Sequence, residues 1–257
     1  MPIITKLYFT TESAPYTPSS LRGNNWAPYG SKPIYKLGKF PTGTNIADSE
    51  YILSSNTPYS FLLSRFVSDA LDFNYSFTAA DSVNWVRGAL TSYPAYGYTE
   101  CIYITQGDSD TPRGILWDRT NTDSPTYFPL TLSGLADSLS SSQSVSALAG
   151  DRIVIEMGFK PNNIHYGEGT GTIYSGGQSE TDLTVSDTNM NHPSWINFST
   201  SSSLFNPYIF SRESETITES SISSFNPKHL SISDSEQILD QLYIGELLNR
   251  DSMVMLL

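Results

Sequence analysis

The chain has 257 residues, 38% of them hydrophobic and only 16% charged, with a net charge of −12 and a sequence pI near 4.5. No cluster of Lys and Arg exists to neutralise phosphates, which excludes a nucleic-acid-binding surface, and the single cysteine, Cys101, excludes an internal disulfide. Abundant Ser, Thr, Tyr, Gly and Pro suit short strands joined by turns rather than helices, so one large all-β domain, with or without an extension, is the expected scale.

The first residues, MPIITKLYFT, lack a basic stretch followed by an apolar core, so no signal peptide is expected. No run approaches the length of a membrane helix, and no membrane partner is expected. Residues 3–10 alternate weakly and predict a first strand. Residues 11–58 read as irregular, because prolines at 15, 18, 28, 33, 41 and 58 remove backbone donors. Tyr16, Trp26, Tyr29, Tyr35 and Phe40 in that segment still need burial, so it is expected to drape over the domain or over a partner.

Strands are expected at Arg65–Ser68, Asp72–Ala79, Thr99–Gln106, Gly114–Asp118 and Tyr127–Leu132. A loop is expected around Asn84, Trp85 and Arg87. Cys101 lies inside the apolar Thr99–Gln106 pattern and reads as a small buried hydrophobe. Leu135–Leu148 reads as a loop or a weak helix. Ala149–Phe159, AGDRIVIEMGF, carries the cleanest strand signal. A Gly-Asp turn leads into Ile153, Ile155, Met157 and Phe159 on one face, and Arg152, Val154, Glu156 and Gly158 on the other. Gly167–Tyr174, a strand starting at Leu183–Val185, and His192–Phe198 complete the series. Regular spacing without crossover-length helices implies antiparallel pairing, and two face-to-face sheets are the expected solution.

Beyond residue 205 the composition changes. Ser211–Ser224 reads as a linker. Ser233-Asp234-Ser235-Glu236 is a capping box, and Ile238, Leu239, Leu242 and Leu247 follow at roughly helical spacing. The sequence then runs Met253-Val254-Met255-Leu256-Leu257. Leaving those side chains in water forgoes about 1.5–3 kcal/mol each, so they are expected to dock, either on the parent domain or in another subunit. The expected division is 1–58 for the N-terminal strand and Pro-rich segment, 59–205 for the sandwich, and 206–257 for the linker and helical arm.

Chemistry is sparse. The three histidines, His165, His192 and His229, are widely separated, and no metal or cofactor site is expected. Asp108-Ser109-Asp110 lies in a turn and lacks the ligand number of a calcium loop. Gly167–Gly171 lacks the Gly-Lys-Ser/Thr ending of a phosphate loop. The chain therefore reads as no enzyme. Trp85, Tyr93, Tyr96 and Tyr98 form an aromatic group in a Gly/Pro-containing region, and exposed rings there would stack on sugars. That is the alternative reading, a carbohydrate-binding module for host-surface glycans.

Several segments carry a resemblance. Ser64–Leu71 leads into the Phe73/Tyr75/Phe77 pattern, Ala149–Phe159 follows much later, then the Tyr174-Ser175-Gly176-Gly177 turn and finally Ser194–Phe198. This order resembles jelly-roll-like virion structural proteins of tailed bacteriophages, over roughly residues 60–200. The resemblance implies a β-sandwich particle component: a capsid cement or decoration protein, or a neck or tail accessory. It implies a virion location, many copies or a homo-oligomer in an assembly, and other virion proteins such as major capsid, neck or tail subunits as partners. Leu239, Leu242, Leu247 and Met253–Leu257 would then bind neighbouring subunits.

Overall fold

The computed structural model describes residues 2–27, 31–52, 59–92, 96–120, 126–140, 143–161 and 168–206. The chain divides into two units, Met1–Asn206 and Pro207–Leu257. The described residues are all-β and contain no helix. Thirteen strands occur in order: β1 (Ile3–Ser13), β2 (Ile34–Gly38), β3 (Ile46–Ile52), β4 (Phe61–Ser68), β5 (Tyr75–Phe77), β6 (Ser82–Thr91) and β7 (Tyr96–Thr105). They continue with β8 (Pro112–Asp118), β9 (Ser133–Ser140), β10 (Val145–Ala147), β11 (Arg152–Pro161), β12 (Gly169–Ser175) and β13 (Trp195–Thr200).

Eleven strands join one sheet in the order β3-β12-β6-β13-β1-β2-β4-β11-β7-β8, with β9 on the other edge of β6. The pair β5 and β10 forms a small second sheet. Every pairing is antiparallel except β2 with β4, where the intervening β3 crosses to the far end of the path. The large sheet folds over on itself as a sandwich. Trp85 on β6 meets Tyr98 on β7 with ring centroids 4.1 Å apart, and Phe9 on β1 meets the edge of Phe66 on β4 at 4.9 Å. Such aromatic pairs add about 0.5–1.5 kcal/mol each beyond area burial.

The alternation in β11 is realised as read. Ile153, Ile155, Met157 and Phe159 enter the main core, while Val154 faces a second, smaller cluster with Val67, Cys101 and Tyr103. In β7, Ile102 and Ile104 point inward and Cys101 and Tyr103 outward, as their period of two requires.

Several local expectations change. The loop expected around Asn84, Trp85 and Arg87 is the ten-residue strand β6. Leu135–Leu148, read as a loop or weak helix, contributes β9 and β10. Asp72–Ala79 shrinks to the three residues of β5, with Phe73 exposed. Tyr127 makes one isolated bridge to Gly97 rather than opening a strand. Leu183–Val185 is a loop whose Leu183 is buried and Val185 exposed. Within 11–58, β1 runs on to Ser13, and β2 and β3 are full members of the large sheet. The helical signature at Ser233–Glu236 and the apolar run Met253–Leu257 lie outside the described residues.

Candidate functional site

A fully buried glutamate stands on each face of the β4–β11–β7–β8 half of the sheet, Glu156 on one and Glu100 on the other, each with polar neighbours around it. The outer face is covered by residues 14–27, which contain Pro15 and Pro18 and so give up two backbone donors. Ala14 and Tyr16 pack against the small cluster of Val67, Cys101, Tyr103 and Val154. Burial pushes the Cys101 thiol up, so Cys101 is held as a neutral thiol.

Side-chain acceptors replace the sheet partners that this strap lacks. Glu156 on β11 is fully buried and takes three donors from it: Arg22 N and Gly23 N at 2.9 Å, and the Trp26 indole at 2.6 Å. Burial raises the Glu156 carboxyl, and the two amides, the indole and the Arg65 guanidinium pull it back. Asp118 accepts from Asn24 Nδ2 at 2.7 Å. Asp110 accepts from Ser19 N at 2.9 Å and from the Ser19 hydroxyl, and these bonds hold its carboxyl below the usual range. Arg65 closes the set by donating to Pro18 O at 2.6 Å. The turn aspartates therefore act as anchors: Asp110 ties the strap, and Asp108 pairs with Arg152 at 2.5 Å.

The inner face carries a polar row. In register across the sheet lie Ser64 on β4, Met157 on β11 and Glu100 on β7, and Arg119 N donates to Glu100 O at 2.8 Å. From the facing layer, Arg87 on β6 reaches Met157 Sδ and donates to Ser175 Oγ at 2.6 Å and Tyr174 O at 3.2 Å. Its guanidinium lies 4.3 Å from the Phe9 ring and 4.8 Å from Phe66. Cation–π contact compensates part of its desolvation, which nonetheless lowers the Arg87 pKa to about 10. At one rim, Arg119 pairs with Asp137 at 2.6 Å, and at another Tyr35 donates to Asp48 at 3.0 Å.

Other features are more modest. His192 Nδ1 meets Asp187 Oδ2 at 2.5 Å, and its second ring nitrogen faces Asn189 Nδ2 at 3.1 Å, where a catalytic triad would place a hydroxyl. His165 and His229 lie outside the described residues. Among the described residues no group of three or more His, Cys, Asp or Glu is arranged to hold a metal ion, and no helix is long and apolar enough to cross a membrane. A cavity of about 350 Å³ lies among Leu90, Thr91, Ser92, Leu130, Thr170 and Thr172, none of which titrates in the physiological range.

The glycan platform is not formed as expected. Trp85, Tyr96 and Tyr98 are each 0% exposed. They face inward on β6 and β7, with Trp85 against Tyr98, Tyr98 stacked on Phe128 and Tyr96 stacked on Phe159, so no sugar reaches their faces. Tyr93 lies outside the described residues, as do Leu239, Leu242, Leu247, Met253, Val254, Met255, Leu256 and Leu257. Sequence reading passed over Glu100, Glu156 and Arg87. Their signal was a charge standing in an otherwise apolar strand pattern.

No protein-family model matches the chain, and no curated protein matches it in sequence. Similar solved structures include an alpha-amino acid ester hydrolase, at 11% identity and a TM-score of 0.34, covering 76% of this chain and 36% of that one. An aminopeptidase from a marine sediment Thaumarchaeota archaeon matches at 10% identity and 0.33, covering 76% and 36%. The VP2 protein of infectious bursal disease virus, from derived T=1 particles, matches at 9% identity and 0.26, covering 79% and 37%. The chain thus spans little more than a third of each of these proteins. The expectation that the chain is no enzyme is corrected here. The similar solved structures include hydrolases, and absence of activity is not concluded. At these TM-scores none of the likenesses assigns a function.

Proposed function

We propose that this chain is a structural component of a viral particle, with the β-sandwich as its rigid body and residues 207–257 as an arm that binds a neighbouring subunit. Within that reading, the sequence resemblance of residues 60–200 points to a tailed-phage particle: a cement or decoration protein, or a neck or tail accessory. Major capsid, neck or tail subunits, or further copies of the chain, are the partners.

The observation that carries the proposal is the way the sandwich spends its polar groups on its own rigidity. Eleven strands form one continuous sheet, and the Pro-rich segment is clamped to its outer face by Glu156, Asp118 and Asp110. Cations are consumed in the same manner: Lys6, Lys32, Lys36, Lys39, Arg113, Arg119 and Arg152 each face a carboxylate. Such a body suits a building block. Residues 207–257 add a capping box, spaced leucines and an apolar run, a combination that gains from docking on a partner.

Replacing Leu239, Leu242 and Leu247 with Ser in the full chain tests this. The sandwich should keep its melting temperature, while incorporation into purified particles falls at least several-fold. Unchanged incorporation would remove the arm from the proposal.

A further inference from the structure

We propose that one end of the sandwich binds a neutral saccharide, in the cavity among Leu90, Thr91, Ser92, Leu130, Thr170 and Thr172, with Tyr51 as its stacking ring. Strand register builds this end. Tyr51 on β3 lies opposite Thr170 on β12, and Thr172 lies between Ser49 on β3 and Leu90 on β6. Directly paired residues share a face of the sheet, so Tyr51, Ser49 and Leu90 stand with the two threonines. Gly171 and Ile173 point the other way, Gly171 towards the Phe159 ring and Ile173 into the main core. Phe159 in turn pairs with Phe61 and Tyr98, which brings the starts of β4 and β7 to the same end. The three exposed tyrosines among the described residues all lie here. Tyr51 is 53% exposed, Tyr59, just before β4, 48%, and Tyr127, bridged to Gly97 near the start of β7, 44%. Leu130, a wall of the cavity, is 59% exposed.

The chemistry of the set selects the ligand. No charged side chain lines the cavity, and Glu168 beside it accepts from the Tyr51 hydroxyl at 3.0 Å. An anion would find no cation there and would meet that carboxylate. A divalent cation needs more oxygen ligands than one carboxylate supplies. The hydroxyls keep hydrogen-bonding capacity. Ser92 Oγ accepts from Thr170 N at 2.8 Å and still has its own proton to donate. The Ser49 and Thr172 hydroxyls share one hydrogen bond at 2.8 Å, which leaves the second proton of the pair. A sugar ring presents C–H groups on its faces and hydroxyls on its rim. The faces suit Tyr51, Leu90 and Leu130, and the rim suits the serines and threonines. The volume, about 350 Å³, falls at the small end of ligand sites, which span about 300–1,000 Å³. The bond to Glu168 fixes the Tyr51 ring in advance and so lowers the ordering cost of binding. The buried Trp85, Tyr96 and Tyr98 take no part. The site draws on no residue of 207–257, so it stands or falls independently of the arm.

A glycan microarray carrying neutral and anionic saccharides, probed with the full chain, tests this. The expected result is binding to neutral glycans, weakened several-fold in Tyr51→Ala and largely kept in Tyr51→Phe, which retains the ring. Both variants should keep the wild-type melting temperature, because Tyr51 is exposed on an end strand of the sheet. Should Tyr51→Ala not fold, Leu130→Ser is read by the same criterion. No binding to neutral glycans, binding confined to anionic ones, or binding undiminished in the folded variant overturns the proposal. An equal loss in Tyr51→Phe and Tyr51→Ala overturns the stacking role of the ring.

Discussion

Glu156 and Glu100 stand on neighbouring strands, on opposite faces of one sheet, each fully buried. Glu156 is satisfied by three donors from the strap, so its removal leaves those donors without a charged acceptor. Glu156→Gln should destabilise the protein by about 2 kcal/mol in urea unfolding, and amide exchange should quicken first at residues 19–25. Uniform exchange across the sheet would show that Glu156 does not tie the strap. At Glu100, burial outweighs the pull of Arg119, the Trp85 indole and Arg87, and raises its carboxyl from 4.5 to about 8. Its folded pKa lies above its unfolded one, so the folded state holds the extra proton. The stability it contributes is fully present below about pH 4.5 and is lost as pH rises through about 8. Between those limits stability should fall by up to ~1.4 kcal/mol per pH unit from this group. Glu100→Gln should flatten that slope in a pH series of denaturation midpoints, and an unchanged slope would contradict the assignment.

At the scale of elements, legibility followed the period of two. β11 was plain because Ile153, Ile155, Met157 and Phe159 alternate without interruption. β6 was not, because Arg87 breaks the pattern that Val83, Trp85 and Ala89 set, and Val86 places an apolar side chain on the alternate face. Arg87 carries charge into the core, where a binary pattern has no place for it. The aromatic group misled for a related reason: Trp85, Tyr96 and Tyr98 have polar tips but bury their rings. β2 and β3 were hidden by the surrounding prolines, although Pro33 and Pro41 fall in the connections. The chain packs tightly at Gly171 on β12, where a Cβ would lie 2.7 Å from the Phe159 ring. Gly171→Ala should therefore cost about 1–3 kcal/mol through overpacking. Pairing it with Phe159→Leu should recover part of that loss in a double-mutant cycle. Simple additivity would show that the two positions do not meet.

For the whole molecule, the sandwich and the acidic residues 207–257 differ in kind. The first unit spends its charges internally, whereas residues 207–257 hold eight acidic against three basic residues, beside spaced leucines and an apolar run. The all-β class and the antiparallel sandwich were legible from composition and spacing. The strap's anchoring was not, since it depends on carboxylates more than ninety residues away in sequence from the atoms they hold. If residues 207–257 join the sandwich to its neighbours, as proposed, their apolar run is the contact to remove. Cryo-EM of purified particles carrying the full chain, compared with the chain in which Met253–Leu257 are changed to Ser, makes that test. The expected result is density for the sandwich on the unmodified particles and loss of that density for the variant, whose isolated melting temperature is unchanged. Equal density in both, or a variant whose sandwich itself unfolds, would contradict it.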